Sequence, residues 1–145
     1  MTATPADTSA PLLDGRSIGI AYHAIAAVRD RLLAASGLTF HQSVALKAVA
    51  DGLDRAGAAD HVGATLRIGA ARVDALLGAL AGAGLVEGER PCLTGKGRDI
   101  QERYTGAVAG LTERLYADIP AAEREIAARA LAHVAARANA ELAAG

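Results

Sequence analysis

Two groups of side chains in this 145-residue sequence could carry chemistry: its four histidines with its one cysteine, and a series of cations between residues 67 and 98. Histidine titrates near neutral pH, so two of them in one cavity would suit ligand binding or general acid–base work. His23 falls on the polar side of the first helical pattern, His41 opens the second, His61 lies on a short third and His133 on the last. The spacing contains neither His-x-x-x-His nor Glu-x-x-His, so no metal motif forms and no metal is expected. An ordinary surface or interface position is the competing account of each histidine, and His23 and His41 fit it least. Cys92 alone can build neither an internal disulfide nor a multi-cysteine metal cluster, and reads as a small apolar residue. "GERPCLTGKG" (88–97) fails as a phosphate loop, because Arg90 stands at the first glycine position and Gly97 replaces the closing Ser or Thr. "GAGLVEG" (82–88) imitates a dinucleotide fingerprint but follows a helical pattern rather than a strand, which removes the mechanism. No cofactor is expected.

The elements that must position these groups are helical. Hydrophobic residues make up 52% of the chain but aromatics only 3%, with no Trp, so alanine carries much of the apolar fraction. Alanine is the best helix former and is uncommon in strands. The length suits one domain with a proper core. A net charge of −1 gives no global positive field, so any nucleic-acid binding must come from a local patch. The first residues have no basic region followed by an apolar run, and no apolar stretch reaches the length of a membrane span; a cytoplasmic protein without membrane contact is expected.

Residues 1–15 are small, polar and punctuated by proline, and read as a flexible arm. Ile18, Tyr22, Ile25, Val28, Leu32 and Leu33 predict a helix over about 16–35, ended by "SG". "LTFHQ" opens a second helix with a capping box, Thr39 to Gln42, running to about Gly52. "DGLDRAG" reads as a connection, and a short helix follows at about 59–66. The next helix, 70–84, turns Val73, Leu76, Leu77 and Leu80 inward and stops at Gly84. A hairpin comes next, with strands at 85–87 and 91–93. Thr94 can cap a long helix to about 117, and Pro120 suits the first turn of a last one, 120–143, with Ile126, Leu131 and Val134 inward. A short helix, a turn and a second helix just before a hairpin is the winged helix-turn-helix arrangement.

Three stretches, in order, carry a resemblance to the multiple-antibiotic-resistance regulator (MarR) family. "GLTFHQSVALKAV" is similar to its second-helix opening, with Leu38, Thr39, Gln42, Leu46 and Val49 at pattern positions. "HVGATLRI" resembles its first helix-turn-helix helix, through Val62, Gly63, Leu66 and Ile68, and "LLGALAGAGLV" with "LTGKG" resembles its recognition-helix exit, first wing strand and fifth-helix start. The resemblance spans about residues 16–143. It implies a mainly α fold of about six helices and a short β-hairpin, with one domain over 16–145: a winged-helix lobe at about 38–94 and dimerisation helices at about 16–35, 95–117 and 120–143. It further implies a homodimer, double-stranded DNA as partner, and a small-molecule effector pocket between the dimerisation helices and the lobe. Arg67, Arg72, Asp74, Arg90, Lys96 and Arg98 are then the candidate DNA contacts. Tyr22, His23, Phe40, His41 and Tyr104 are the candidate pocket residues.

The departures from the family pattern fall on the DNA contacts. "GAARVDALLG" places Asp74 and Ala75 where a hydroxyl and a basic residue would be expected. An exposed carboxylate repels phosphate, although Asp can accept from a cytosine amino group. Only "EGERPC" separates Val86 from Leu93, so the wing is short and Arg90 is its sole cation. Few phosphate contacts mean weak binding with a shallow salt dependence. Two readings follow: a ligand-responsive dimeric regulator, or a protein of the same fold that has lost DNA and binds or transforms a small molecule. In the second case any catalysis would be cofactor-independent acid–base chemistry by the pocket histidines.

Overall fold

The structure, a computed structural model, describes residues 10–145. Most of the arm expected over 1–15 therefore lies outside the described residues; residues 10–14 have no regular structure and are exposed. Six helices and one hairpin follow: α1 (Gly15–Ser36), α2 (Phe40–Ala50), α3 (Arg55–Leu66), α4 (Ala70–Gly82), β1 (Val86–Glu87), β2 (Cys92–Leu93), α5 (Gly95–Tyr116) and α6 (Ala121–Ala144). The chain divides into two compact units, one ending at Thr105 and the other spanning Gly106–Gly145. No helix among the described residues is long and apolar enough to cross a membrane.

Local chemistry sets the helix ends. Asp14 caps α1 by accepting from the Ser17 amide at 2.7 Å, which holds its carboxyl below the usual carboxylate range. The capping box of α2 has the expected form: the Gln42 amide donates to Thr39 Oγ1 at 3.1 Å, and the Thr39 amide donates to Gln42 Oε1 at 3.0 Å. Thr39→Ala removes one acceptor from this end, and chemical denaturation should show a loss of about 1 kcal/mol. A midpoint unchanged from the wild type would mean that water replaces the hydroxyl without penalty.

Helix α3 starts four residues before the expected position. The Asp54 carboxylate accepts from the Gly57 amide at 2.8 Å, which caps a turn that the glycine made look like a break. A Cβ on Gly57 would lie 3.1 Å from that same carboxylate oxygen, so the glycine leaves room for the cap. The turn from α3 to α4 passes through Arg67, the one non-glycine residue with positive φ (54°) among the described residues. Helix α4 closes in a Schellman motif at Gly84 (φ 76°), with Leu85 N–H on Leu80 C=O at 2.9 Å and Gly84 N–H on Ala81 C=O at 3.0 Å.

The core of the first unit is the packing of α2, α3 and α4, closed by the hairpin. Leu46, Val62, Val73, Leu77 and Leu80 are fully enclosed, and Leu85 and Val86 cover one side. The two strands pair antiparallel, Val86 opposite Leu93 and Glu87 opposite Cys92. Thr94 ties the next helix to this edge: its amide donates to Leu85 C=O at 3.0 Å, its hydroxyl donates to Gly84 C=O at 2.6 Å, and it accepts from the Gly97 amide at 3.0 Å.

In the second unit α6 begins one residue after Pro120, which serves as its N-cap, and buries no residue in the single chain. Ile126, Leu131 and Val134, expected to face inward, are 60%, 43% and 43% exposed. Their helical spacing is intact, but that face is not covered among the described residues.

Candidate nucleic-acid interface

The second helix of the helix-turn-helix, α4, is the element that the motif offers to a DNA groove. One side of it packs through Val73, Leu77 and Leu80, and the rest is open: Ala70, Ala71, Arg72, Asp74, Ala75, Gly78 and Ala79 are all exposed. Gly69 at its N-cap has no side chain to cover the first-turn amides. The exposed face is thus sparsely armed, with one guanidinium and one carboxylate among alanines and glycines. Alanine methyls can touch thymine methyls but cannot hydrogen-bond a base edge.

The six candidate DNA contacts separate by what already holds them. Arg72 and Arg98 are exposed, and neither guanidinium has a partner among the described residues. Arg90 donates weakly to Gly52 C=O at 3.4 Å, which ties the hairpin to the turn between α2 and α3. Lys96 Nζ donates to Ala83 C=O at 3.1 Å, capping the negative end of α4 from outside that helix. Arg67 is set by its left-handed backbone at the end of α3, where its amide reaches Gly63 C=O. Asp74 lies 3.8 Å from Arg55 at the start of α3. An exposed pair at that distance is worth little in stability, but it partly offsets the negative charge that Asp74 would present to phosphate.

Arg55 is the residue that sequence reasoning missed here. The stretch containing it reads as a connection, because two glycines flank it, and only the cap at Asp54 makes it the first residue of a helix packed on α4. It would have been found by treating Asp54 as a cap.

The pocket candidates are not all placed in one spot. Tyr22 and His23 touch edge to face, centroids 5.4 Å apart, and both are exposed on α1. Phe40 packs against the core beneath the Arg29 guanidinium, which sits 3.8 Å from its centroid. Tyr104 packs against the same core. His41 instead lines a groove of about 240 Å³ with Ile68, Arg72, Ala75 and Leu76, on the side of α4. It therefore stands beside a candidate DNA contact. Arg29 Nε and Gln101 Oε1 are buried polar atoms without a hydrogen-bond partner. Neither was singled out from sequence, since a helical Arg and Gln carry no local motif.

No family model and no curated protein matches the chain. Solved structures do. The S. aureus MepR–DNA complex superposes with a TM-score of 0.69 at 18% identity, covering 89% of this chain and 99% of that one. Ligand-free NadR gives 0.67 at 21% identity over 87% of this chain and 99% of its own. The Mycobacterium tuberculosis MarR family protein Rv2887 in complex with salicylic acid gives 0.51 at 25% identity over 87% and 99%. Near-complete coverage in both directions, together with the six helices and two-stranded hairpin of this chain, gives it the winged-helix fold of the MarR family regulators.

Proposed function

We propose that the protein is a homodimeric, ligand-responsive DNA-binding regulator that uses α4 and the hairpin with few phosphate contacts. The observation that carries this reading is Arg72: an uncommitted guanidinium on the exposed face of the second helix of a helix-turn-helix. A structure of the same fold, MepR, is known in complex with DNA. Among the described residues Arg98 is a second cation without a side-chain partner, while Arg67 stands in the turn that leads into α4 and Arg90 on the hairpin. The exposed apolar stripe of α6 suits a second copy, which would double these contacts. The complex of Rv2887 with salicylic acid supports a small organic effector.

A second reading, a protein that has given up DNA for a small molecule, is favoured by a different observation. Asp74 interrupts the recognition face, and Arg90 and Lys96 are held by backbone carbonyls.

Fluorescence anisotropy with duplex from the gene's own upstream region, across a salt series, separates the two. The regulator reading expects sequence-dependent binding whose logarithmic salt slope is about −4, as for two phosphates neutralised per protomer. Arg72→Ala should weaken binding roughly tenfold to a hundredfold per half-site. Absence of preference over a random duplex at low salt, or an Arg72→Ala variant that binds like the wild type, would leave the second reading standing.

A further inference from the structure

Asp74 stands in the second turn of α4, within the N-terminal part that the second helix of a helix-turn-helix presents to base edges. Ala70, Ala71, Ala75 and Gly78 surround it on the exposed face, so nothing longer than a methyl group stands beside it. An aspartate side chain is short and reaches a base only if the helix itself comes close, which these small residues allow. Arg72 lies two residues earlier, about 200° around the helix, and lines the groove with His41. Asp74 turns instead toward the start of α3, where Arg55 stands. The two members of that pair are 3.8 Å apart and both more than half exposed. Arg55 is thus near enough to offset part of the carboxylate's charge but too far to hydrogen-bond it. Neither side chain has another polar partner among the described residues. The carboxylate therefore keeps both oxygens open toward the face that a DNA groove would meet.

Base chemistry then selects the partner, because a carboxylate only accepts. In the major groove guanine presents acceptors at N7 and O6, and thymine presents one at O4. Adenine sets its N7 acceptor beside its N6 amino donor, whereas cytosine presents the N4 amino donor alone. We infer that Asp74 is a specificity-determining residue that reads cytosine by accepting a hydrogen bond from its N4 amino group. Arg55 is its positioning residue, offsetting the charge without consuming the oxygens. This assignment rests on the regulator reading above and gives it a base preference: the carboxylate that weakens phosphate binding supplies selectivity.

The test selects duplexes from a randomised pool with the full wild-type chain. Anisotropy then measures the enriched sequence with each of the four base pairs at each position. One C·G pair per half-site should emerge at which replacement by T·A weakens the wild type roughly tenfold. Asp74→Ala should bind all four pairs at that position about equally and keep its preferences elsewhere. Asp74→Asn should move the preference there from cytosine to adenine, since an amide pairs with N6 and N7. Arg55→Gln should reduce discrimination at that position and at no other, with an unchanged salt slope. Circular dichroism checks that the three variants are folded. A cytosine preference that survives Asp74→Ala, an Asp74→Ala variant that only binds every sequence more tightly, or an Asp74→Asn variant without the move to adenine would each overturn the assignment. A salt slope made shallower by Arg55→Gln would make Arg55 a phosphate contact and overturn its positioning role. If the wild type enriches no sequence, the regulator reading fails and this inference with it; a clear enriched sequence indifferent to Asp74 overturns this inference alone.

Discussion

Gly97→Ala is expected to unfold the winged-helix lobe, or to leave it less stable by about 3 kcal/mol or more. Gly97 is buried in the first turn of α5, and a Cβ there would run into the carbonyl oxygen of Leu85, 2.9 Å from its carbon and 3.2 Å from its Cα. Those atoms are backbone and cannot step aside as a flexible side chain would. Leu85 is fixed from both directions, its amide on Leu80 C=O and its own carbonyl taking the Thr94 amide, and its side chain is buried. To admit one methyl, α5 would have to lift away from the edge that Thr94 ties down. Gly106→Ala is the matched control in the same helix, where nothing lies within 4 Å of the added carbon. Alanine there should stabilise by roughly 0.5–1 kcal/mol through helix propensity. Urea melts of the two variants read the difference directly; a Gly97→Ala melt that overlays the wild type would sink the close-approach argument.

The same glycine shows what sequence could and could not reveal about the fold. "LTGKG" is legible as a helix start, because Thr94 is a capping residue, and the Thr39–Gln42 box and the Gly84 stop are equally local. Such features are carried by residues within three or four positions of one another, so spacing alone exposes them. Why Gly97 must be glycine is not local: the clash is with Leu85, twelve residues earlier, across the hairpin. The start of α3 was obscured for another reason. Gly52 and Gly57 are poor helix formers, and their propensity hides a cap whose carboxylate needs the space that Gly57 leaves.

The site was legible in kind rather than in arrangement. Cations at 67–98 mark a lobe worth examining for DNA, but which of them are free depends on contacts between distant segments. Arg90 finds Gly52 across 38 residues, Asp74 finds Arg55 across two helices, and Lys96 finds the end of α4. His41 follows the same logic. Its position at the start of α2 suggests company with α1, whereas the crossing of α2 and α4 sets it beside Arg72. Helical periodicity assigns a face; packing alone decides which neighbour that face meets.

That limit is sharpest on α6, where the second large effect is expected: Leu131→Glu with Val134→Glu should turn a dimer into a 14.6 kDa monomer. Ile126, Leu131, Val134 and Leu142 are exposed large apolar residues that fall on one half of the helix surface at 3.6 residues per turn. A stripe of this kind in a single chain marks a surface covered by something else, and a second copy offers the self-complementary match. Burying a leucine or valine side chain is worth roughly 1.5–3 kcal/mol. Both positions are 43% exposed in the single chain, so a partner can bury only about that share of each; two residues in each of two copies then come to about 2.5–5 kcal/mol before any penalty for the buried charge. That is roughly a hundredfold or more in the dimer dissociation constant. Because both positions are exposed in the single chain, the variant should keep its helical circular dichroism, and sedimentation then reports association alone. DNA affinity should fall with it, since a monomer engages one half-site where a dimer engages two. A wild-type chain that sediments as a monomer, or a double variant that still dimerises, would place the interface elsewhere and leave the apolar face of α6 for a different partner.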